Sequence, residues 1–282
     1  MHPATKISLI ITTYNWPQAL GFVLRSLEYQ TDKNFEVIIA DDGSGPDTKQ
    51  LIKNFSDTSE ITVKHFWHED DGFRVAAARN GAAALAEGDY FVFIDGDCCL
   101  MPSFIASHRK LAEKKWFVAG RRVYLKKRFT AKIFKKAWRF FNWPSCILFI
   151  MGLTGQCNRP FQFLSIPQSN KARKKQAKKW EKVQTCNLGV WKEDFYGVDG
   201  FDESYEGHGL EDSDFTVRLI RSGVHRIDAD YCSPVLHLFH SRSIPGREGK
   251  ELKNPEYFQK LLESDRFTAV QGISCRLSRE SF

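Results

Sequence analysis

The sequence lacks an apolar run that could cross a membrane. A transmembrane helix needs about 20 consecutive apolar residues, and no stretch of these 282 residues approaches that length. Residues 1–15 also lack the charged-then-apolar pattern of a signal peptide, because the short run Ile7–Ile11 leads directly into polar residues. We therefore expect a cytoplasmic protein.

The cysteines are irregularly spaced. The seven cysteines are odd in number and include no C-x-x-C pair, which argues against both a zinc site and a disulfide framework. A reducing cytoplasm is the simplest environment for such a chain.

One long stretch contains no acidic residue. Between Lys114 and Trp180 there are 18 Lys or Arg residues and no Asp or Glu. Because the whole chain carries a net charge of +7, the remaining residues carry −11. The sequence thus places a basic block inside an acidic body, and the two regions need separate explanations.

The first hundred residues alternate between strand and helix patterns. The predicted strands are Ile7–Thr12, Phe35–Ala40, Ile61–Phe66 and Tyr90–Ile94. The predicted helices are Pro17–Gln30, Thr48–Phe55 and Val75–Glu87. This alternation predicts an α/β fold with a mostly parallel central sheet flanked by helices.

The rest of the chain is patterned less regularly. We predict a helix over Pro102–Lys115, a strand over Trp116–Leu125, ordered structure that resumes at Val183–Val190, a helix over Glu211–Arg221 and strand-like structure over 225–240. The tail from residue 241 is too weakly patterned to assign.

Acidic residues follow two of the predicted strands directly. Asp41-Asp42 follows the second strand, and Asp95-Gly96-Asp97 follows the fourth. Ligands of parallel sheets bind beyond the carboxyl ends of the strands, so both clusters should lie along one edge. Two aspartates around a small residue could hold Mn²⁺ or Mg²⁺ on a nucleotide diphosphate. The alternative for each cluster is an ordinary turn, since turns are rich in Asp and Gly.

A second kind of acidic cluster begins the predicted helix Glu211–Arg221. Glu211 and Asp212 follow a glycine-rich loop, where a carboxylate can be both rigid and exposed. Such a group could act as the general base for an attacking hydroxyl. The alternative is helix capping, which accounts well for Asp214.

Two histidines near the end of the strand-like region could add a metal ligand. His237 and His240 are three residues apart on an extended segment, so we expect their side chains not to share a strand face. We expect one of them to bind metal and the other to be structural, against the alternative that both are ordinary core or surface residues.

Several motifs in fixed order resemble the family 2 glycosyltransferases of GT-A fold. These motifs are Ile7–Asn15 (ISLIITTYN), Val37–Ser44 (VIIADDGS), Ala78–Gly81 (ARNG) and Phe93–Asp97 (FIDGD). The segment Gly200–Gly223 is similar to the acceptor-side motif of chondroitin-polymerase-like and β-1,4-galactosyltransferase-like enzymes. The resemblance covers residues 7–97 and 183–240.

The resemblance implies roles for individual residues. Residues of the donor nucleotide site would be Thr13, Tyr14, Asn15, Asp41 or Asp42, Arg79, Asp95 and Gly96. Metal ligands would be Asp97, Asp95 and His237, with His240 as the alternative to His237. Asp212 would be the catalytic base and Glu211 would position the acceptor, which Gly209 and Trp191 would help to bind.

The resemblance also implies an activity and a division of the chain. It implies inverting transfer from a nucleotide-diphosphate sugar, with a UDP-sugar favoured, to a glycan or lipid-linked acceptor in surface polysaccharide or lipopolysaccharide synthesis. The nucleotide-sugar-binding half would be 1–125, the basic insertion 126–182, the acceptor-binding and catalytic half 183–240, and the tail 241–282.

The basic insertion departs from the family pattern. Within Lys126–Phe141, apolar residues recur every four positions among many cations, as in an interfacial helix. Trp143–Leu153 adds an apolar patch and Lys171–Lys182 adds seven cations. We expect this insertion to dock the protein on an anionic membrane, peripheral to its inner face. The alternative is a solvated basic flap that packs on the acidic body.

Three other functions compete with sugar transfer. A nucleotidyltransferase acting on sugar phosphates would share the nucleotide edge and the metal, but it leaves Asp212 unexplained. A glycoside hydrolase would use two carboxylates but has no need of Asp41-Asp42. A nucleic-acid-binding protein would explain the basic block alone, and because the sequence shows no nucleic-acid motif we expect no nucleic-acid partner.

Overall fold

The structure is a computed structural model that describes residues 6–232, 234–241 and 253–277. The strands are β1 (Ile7–Thr13), β2 (Phe35–Asp41), β3 (Val63–Trp67), β4 (Tyr90–Asp95), β5 (Cys98–Leu100), β6 (Trp116–Ala119), β7 (Arg122–Tyr124), β8 (Leu188–Trp191), β9 (His225–Asp228) and β10 (Val235–His237). The helices are α1 (Pro17–Leu27), α2 (Pro46–Thr58), α3 (Val75–Ala84), α4 (Phe104–Leu111), α5 (Lys127–Lys136), α6 (Ser145–Leu153), α7 (Asn170–Arg173), α8 (Lys192–Gly197), α9 (Glu211–Arg221), α10 (Asn254–Leu262) and α11 (Ile273–Leu277).

Within the described residues, the main sheet has seven strands in the order β3-β2-β1-β4-β8-β6-β9. β8 runs antiparallel to both of its neighbours, and the other pairings in this sheet are parallel. The predicted α/β fold with a mostly parallel sheet is thereby confirmed. A smaller sheet, in the order β5-β10-β7, lies beside it.

Two hydrophobic cores cover the two faces of the main sheet. In β1, Leu9 and Ile11 point into one core and Ile10 into the other, as the two-residue period of a strand requires. In β4, Val92 and Phe93 divide in the same way. Because both faces are buried, the central strands read as nearly continuous apolar runs.

The predicted strand Trp116–Leu125 is two strands in different sheets. The chain leaves the main sheet at Gly120, where an added Cβ would lie 2.1 Å from the side chain of Asn187. β6 stays in the main sheet and β7 joins the small one. The strand-like region 225–240 divides similarly into β9 and β10.

The helix predicted over Lys126–Phe141 is shorter and faces inward. α5 ends where Ala137 adopts a left-handed conformation, with φ of 49°. Its apolar residues Phe129 and Ile133 are buried in the main core. The prediction of an interfacial helix is therefore wrong for α5, because the apolar stripe that lipid would bind is occupied by the domain itself. The described residues contain no helix with the length and apolarity needed to traverse a bilayer.

Candidate active site

The ends of three strands bring the acidic clusters to one edge of the main sheet. In the parallel register, Thr13 at the end of β1 pairs with Asp41 of β2, and Thr12 pairs with Asp95 of β4. Gly96 follows directly, and its N–H donates to the carbonyl of Thr12 over 2.7 Å. An added Cβ at Gly96 would lie 2.8 Å from that carbonyl, so the tight turn requires glycine.

The turn after β2 uses both of its carboxylates within the protein. Asp41 accepts a hydrogen bond from the N–H of Ser44 at 2.8 Å and lies 3.0 Å from Nε2 of His65. Asp42 lies 2.8 Å from Nε2 of His68. Both aspartates are buried. The turn geometry thus accounts for Asp41 locally, while nucleoside contact by either residue stays a prediction.

The loop after β1 is tied to the same turn. The side-chain oxygen of Asn15 accepts from the N–H of Gly45 at 2.8 Å, and the N–H of Asn15 donates to Oγ of Ser44 at 2.9 Å. The hydroxyl of Tyr14 donates to Asp70 over 2.7 Å. The hydrogen bonds of Asn15 thus link the loop that follows β1 to the turn that follows β2.

The small sheet brings both histidines to the second aspartate of the Asp95-Gly96-Asp97 cluster. β10 pairs His237 with Cys98, and the N–H of Leu238 donates to the carbonyl of Asp97. Nε2 of His237 and Nε2 of His240 each lie 3.2 Å from Oδ2 of Asp97. The expectation that the two histidines point apart is wrong, because β10 ends at His237 and strand alternation does not extend to His240.

The donor set of Asp97, His237 and His240 fits a divalent metal ion. One ligand atom from each of the three lies within 4.8 Å of the others. Nδ1 of His240 lies 2.8 Å from the carbonyl oxygen of Ser241; a proton shared there leaves Nε2 free to bind metal. A carboxylate with two imidazoles suits Mn²⁺ better than Mg²⁺, which prefers oxygen ligands.

Ionisation in this cluster follows from burial and close charges. Burial favours the neutral form of Asp97, but the hydrogen bond from His240 and the charge of His237 outweigh it and lower its pKa. Burial lowers the pKa of His237 to about 4 against the opposing charge of Asp97. Burial raises the pKa of Asp95 to about 6, with Arg79 opposing the change.

Arg79 joins two acidic clusters that are far apart in sequence, since Asp95 and Glu211 are separated by 116 positions. Its guanidinium lies 3.5 Å from Asp95 and 3.3 Å from both Glu211 and Asp212. The side chain is buried, and the ring of Phe201 lies 5.3 Å from its central carbon. Burial disfavours its charge, but the neighbouring carboxylates outweigh that effect and raise its pKa.

Asp212 is held by a second partner that sequence reasoning missed. The hydroxyl of Thr185 donates to Oδ1 over 2.7 Å, and the N–H of Thr185 donates to Oδ2 over 3.2 Å. The Asp212 side chain remains one-quarter exposed, whereas that of Glu211 is 9% exposed. Asp212 therefore combines a fixed orientation with access from solvent.

Burial favours the protonated form of Glu211. Its pKa rises to about 8 because the side chain is buried beside Asp212, and Arg79 offsets this only in part. The unfolded chain loses the same proton near pH 4.3. Unfolding therefore releases a proton between these two values, so the contribution of Glu211 to stability falls as the pH rises from about 4 to 8.

We expect Glu211→Gln to remove this pH dependence. Measured by thermal unfolding, the melting temperature of the variant should gain on that of the wild type as the pH is raised from roughly 5 to 9. Glu193→Gln, at an exposed position in the first turn of α8, should show a constant difference. Parallel curves for Glu211→Gln and the wild type would contradict a proton on Glu211.

Arg122 is a further charged residue that the sequence did not single out. Its guanidinium lies 3.6 Å from Oδ2 of Asp95 and 4.7 Å from the ring of Tyr124. It sits in the basic block, where neighbouring cations gave it no distinguishing pattern. Arg79 and Arg122 together place two guanidinium groups at Asp95, beside Asp97 of the candidate metal-binding set.

The prediction that Trp191 binds the acceptor is wrong. Trp191 pairs with Tyr90 at the start of β4, whereas Asp95 lies at the other end of that strand. Its indole is 2% exposed, and its N–H donates to the carbonyl of Glu113. Gly209, by contrast, precedes α9 with φ of +105°, and an added Cβ would meet open space. Its acceptor role stays a prediction.

Comparisons with known families agree with this geometry. The model of the family "Glycosyl transferase family 2" matches residues 8–180, over half of the chain. The model described as "N-terminal domain of galactosyltransferase" matches residues 168–241. The second match covers the predicted acceptor-side motif and α9.

Individual proteins show the same relationship. Validoxylamine A glucosyltransferase of Streptomyces hygroscopicus subsp. jinggangensis is 28% identical over 77% of this chain and 52% of its own length. Chondroitin synthase of Escherichia coli is 24% identical over 78% of this chain and 33% of its own length. The chain thus spans about half or less of these two relatives.

A solved structure shares the architecture at low sequence identity. GalNAc-T7, determined with UDP, GalNAc and Mn²⁺, superposes with a TM-score of 0.61 at 15% identity. It covers 92% of this chain and 48% of the other, which supports the fold alone. With the family match over residues 8–180, the chain belongs to glycosyl transferase family 2 and has the GT-A fold.

Proposed function

We propose that this chain transfers a sugar from a nucleotide-diphosphate donor, a UDP-sugar, to a hydroxyl of a glycan or lipid-linked acceptor in surface polysaccharide or lipopolysaccharide synthesis. The observation that carries the proposal is the Arg79 bridge. The guanidinium of Arg79 lies 3.5 Å from Asp95, which is next to the proposed metal ligands, and 3.3 Å from Asp212. The proposed nucleotide site and the proposed general base are therefore adjacent. Sugar transfer requires both, whereas a nucleotidyltransferase leaves the base unexplained and a glycoside hydrolase has no need of the nucleotide site.

Asp212 is the general base of the proposed reaction. It takes the proton of the acceptor hydroxyl as that oxygen bonds to the anomeric carbon from one face, while the bond to the diphosphate oxygen breaks on the other. One such displacement inverts the anomeric carbon. Thr185 and Arg79 fix the Asp212 carboxylate from its protein side, which leaves its exposed side for the acceptor.

Asp97, His237 and His240 would hold the metal ion in this proposal. Bound Mn²⁺ would offset the negative charge that grows on the diphosphate leaving group. Arg79 and Arg122 add positive charge at Asp95 on the same side. The neutral carboxyl of Glu211 can donate a hydrogen bond toward Asp212 or a sugar hydroxyl, which makes it a positioning residue.

The proposed location is the cytoplasm, peripheral to the inner face of the membrane. This proposal rests on the expectation drawn from the cysteine spacing, because a chain without a disulfide framework suits a reducing compartment.

A thermal-shift screen tests the proposal. We expect a UDP-sugar with Mn²⁺ to raise the melting temperature by about 5–10 °C at a hundredfold excess over the dissociation constant. GDP- and dTDP-sugars with Mn²⁺, and each nucleotide with EDTA, serve as controls. Failure of every nucleotide-sugar to stabilise the chain would overturn the proposed function.

Replacing either histidine should weaken metal binding selectively. We expect His237→Ala and His240→Ala to lower Mn²⁺ affinity at least about tenfold, since each removes one of three protein ligands. Titration calorimetry with MnCl₂ measures this directly. His225→Ala, on the edge strand β9, is the matched control and should bind Mn²⁺ like the wild type. Unchanged affinity in either site variant removes that histidine from the ligand set.

A further inference from the structure

An apolar face of α6 is exposed to solvent. Ile147, Ile150 and Leu153 are 46%, 58% and 60% exposed, and they follow one another at three-residue spacing. Leu148 and Met151, on the opposite side of the helix, are buried in the main core. A surface helix normally presents polar residues outward, so α6 is apolar on the side where water would be expected.

The segment after α6 continues this face. Phe161 and Ile166 are exposed, and the ring of Phe161 lies 5.6 Å from that of Phe149 in α6. Gly152 lets the two segments pack closely, because an added Cβ would lie 2.5 Å from Pro160. We call Ile147, Ile150, Leu153, Phe161 and Ile166 the apolar face. Contiguous exposed apolar side chains of this kind mark interaction sites.

Cations without acidic partners precede the apolar face. α5 buries its apolar side in the domain, so its charged residues point outward; they are Lys127, Arg128, Lys132, Lys135 and Lys136. Within the residues that the structure describes, none of the five forms an ion pair with a carboxylate. The second basic segment is also held to the body by polar contacts, because Lys174 pairs with Glu113 and Arg173 donates to backbone carbonyls. The two basic segments therefore differ in how they are held, although both carry exposed cations.

The apolar face is fixed to the same small sheet as the metal ligands. Leu125, which follows β7, forms a bridge with Cys157, which follows α6. In β7 itself, the ring of Tyr124 lies 5.0 Å from that of His237. A contact made by α6 is thereby held at a fixed distance from the candidate active site.

We propose that the apolar face of α6 and the cations of α5 together dock the chain on a bilayer that contains anionic lipid. Exposed apolar side chains enter the acyl boundary while adjacent Lys and Arg bind headgroups, which is how interfacial helices hold a membrane. An anionic bilayer accounts for both features. Its headgroups can pair with the α5 cations, which form no ion pair among the described residues, and its acyl region can take up the exposed apolar side chains. Docking would place the proposed active site close to a lipid-linked acceptor. This placement of the acceptor rests on the proposed function, whereas docking itself does not.

Vesicle flotation of the full chain, without donor or metal, tests docking by itself. We expect binding to vesicles of equal parts phosphatidylcholine and phosphatidylglycerol and much weaker binding to phosphatidylcholine alone. The triple variant Ile147→Ser, Ile150→Ser, Leu153→Ser should bind at least about tenfold less. The control Phe267→Ser with Val270→Ser, at exposed apolar positions outside the face, should bind like the wild type.

Two variants that remove the same number of charges distinguish docking through α5 and α6 from nonspecific electrostatic attraction to the vesicle. We expect Lys132→Gln, Lys135→Gln, Lys136→Gln to weaken vesicle binding more than Lys171→Gln, Lys175→Gln, Lys178→Gln, although both remove three charges from exposed positions. Equal losses, or tighter binding to an RNA oligomer than to vesicles, would overturn the proposal. Unchanged melting temperatures show that the variants fold.

A fluorescent probe reports insertion of α6 directly. Cys146 in α6 and Cys275 in α11 are exposed thiols. With an environment-sensitive dye on Cys146 in a Cys275→Ser background, we expect a blue shift on adding anionic vesicles. The dye on Cys275 in a Cys146→Ser background should not shift. Two equal responses, or none, would contradict docking through α6. Failure of the nucleotide-sugar screen would leave these results unaffected.

Discussion

Asp212→Asn is expected to abolish sugar transfer while leaving donor binding nearly unchanged. The amide cannot accept the proton of the acceptor hydroxyl, and loss of a general base lowers rates by about 10²–10⁴. The side chain keeps its size, and Thr185 still donates to the remaining carbonyl oxygen. Initial rates of transfer, with UDP-sugar binding measured separately, give the two quantities needed.

The result is informative only beside its controls. Glu193→Gln makes the same carboxyl-to-amide change in the first turn of α8 and should retain full activity. Loss of donor binding in Asp212→Asn would reassign the residue to the nucleotide site. Retention of activity within a factor of ten would exclude it as the base.

Arg79→Met is expected to damage both stability and transfer. Removing one partner of a buried ion pair costs about 3–5 kcal/mol, because the other charges lose their compensation. We expect the lower end of that range, since burial favours the neutral form of Glu211. That predicts a fall in melting temperature of about 5 °C and a loss of transfer of at least about a hundredfold.

Two further variants separate charge from geometry. Arg79→Lys keeps the charge but loses the planar fork that reaches Asp95 and Asp212 at once, so it should fall between wild type and Arg79→Met. Arg74→Met, at the half-buried N-cap of α3, should retain transfer. If Arg79→Met lost stability but transferred sugar at the wild-type rate, the bridge would be structural only.

The main sheet and its acidic edge could be predicted because their signals are local. A buried strand is an apolar run such as Tyr90–Ile94, and the residue that follows it lies at the sheet edge wherever the other strands are. The bounds of α9 matched for the same reason, since acidic residues begin it and Gly223 follows its end. Each of these features depends on neighbours in sequence.

The features that could not be predicted depend on contacts between distant segments. The sequence of an apolar stripe does not show whether it faces a bilayer or its own domain, so the prediction for the apolar side of α5 is wrong. Trp191 precedes the glycine-rich loop in sequence, and only the register with Tyr90 shows that it is far from Asp95. Arg79 was expected near the nucleotide, but its role as a bridge needed the position of α9.

The small sheet has a consequence for how the protein is made. Its central strand β10 comes near the end of the described chain, whereas the flanking strands β5 and β7 are synthesised much earlier. Pairings between such distant segments form late, because the loop between them must close first. A nascent chain that already contains Asp95-Gly96-Asp97 therefore lacks part of the proposed metal site until His240 has been translated and released. If Asp97, His237 and His240 bind the ion as proposed, metal affinity reports whether this part of the fold has formed.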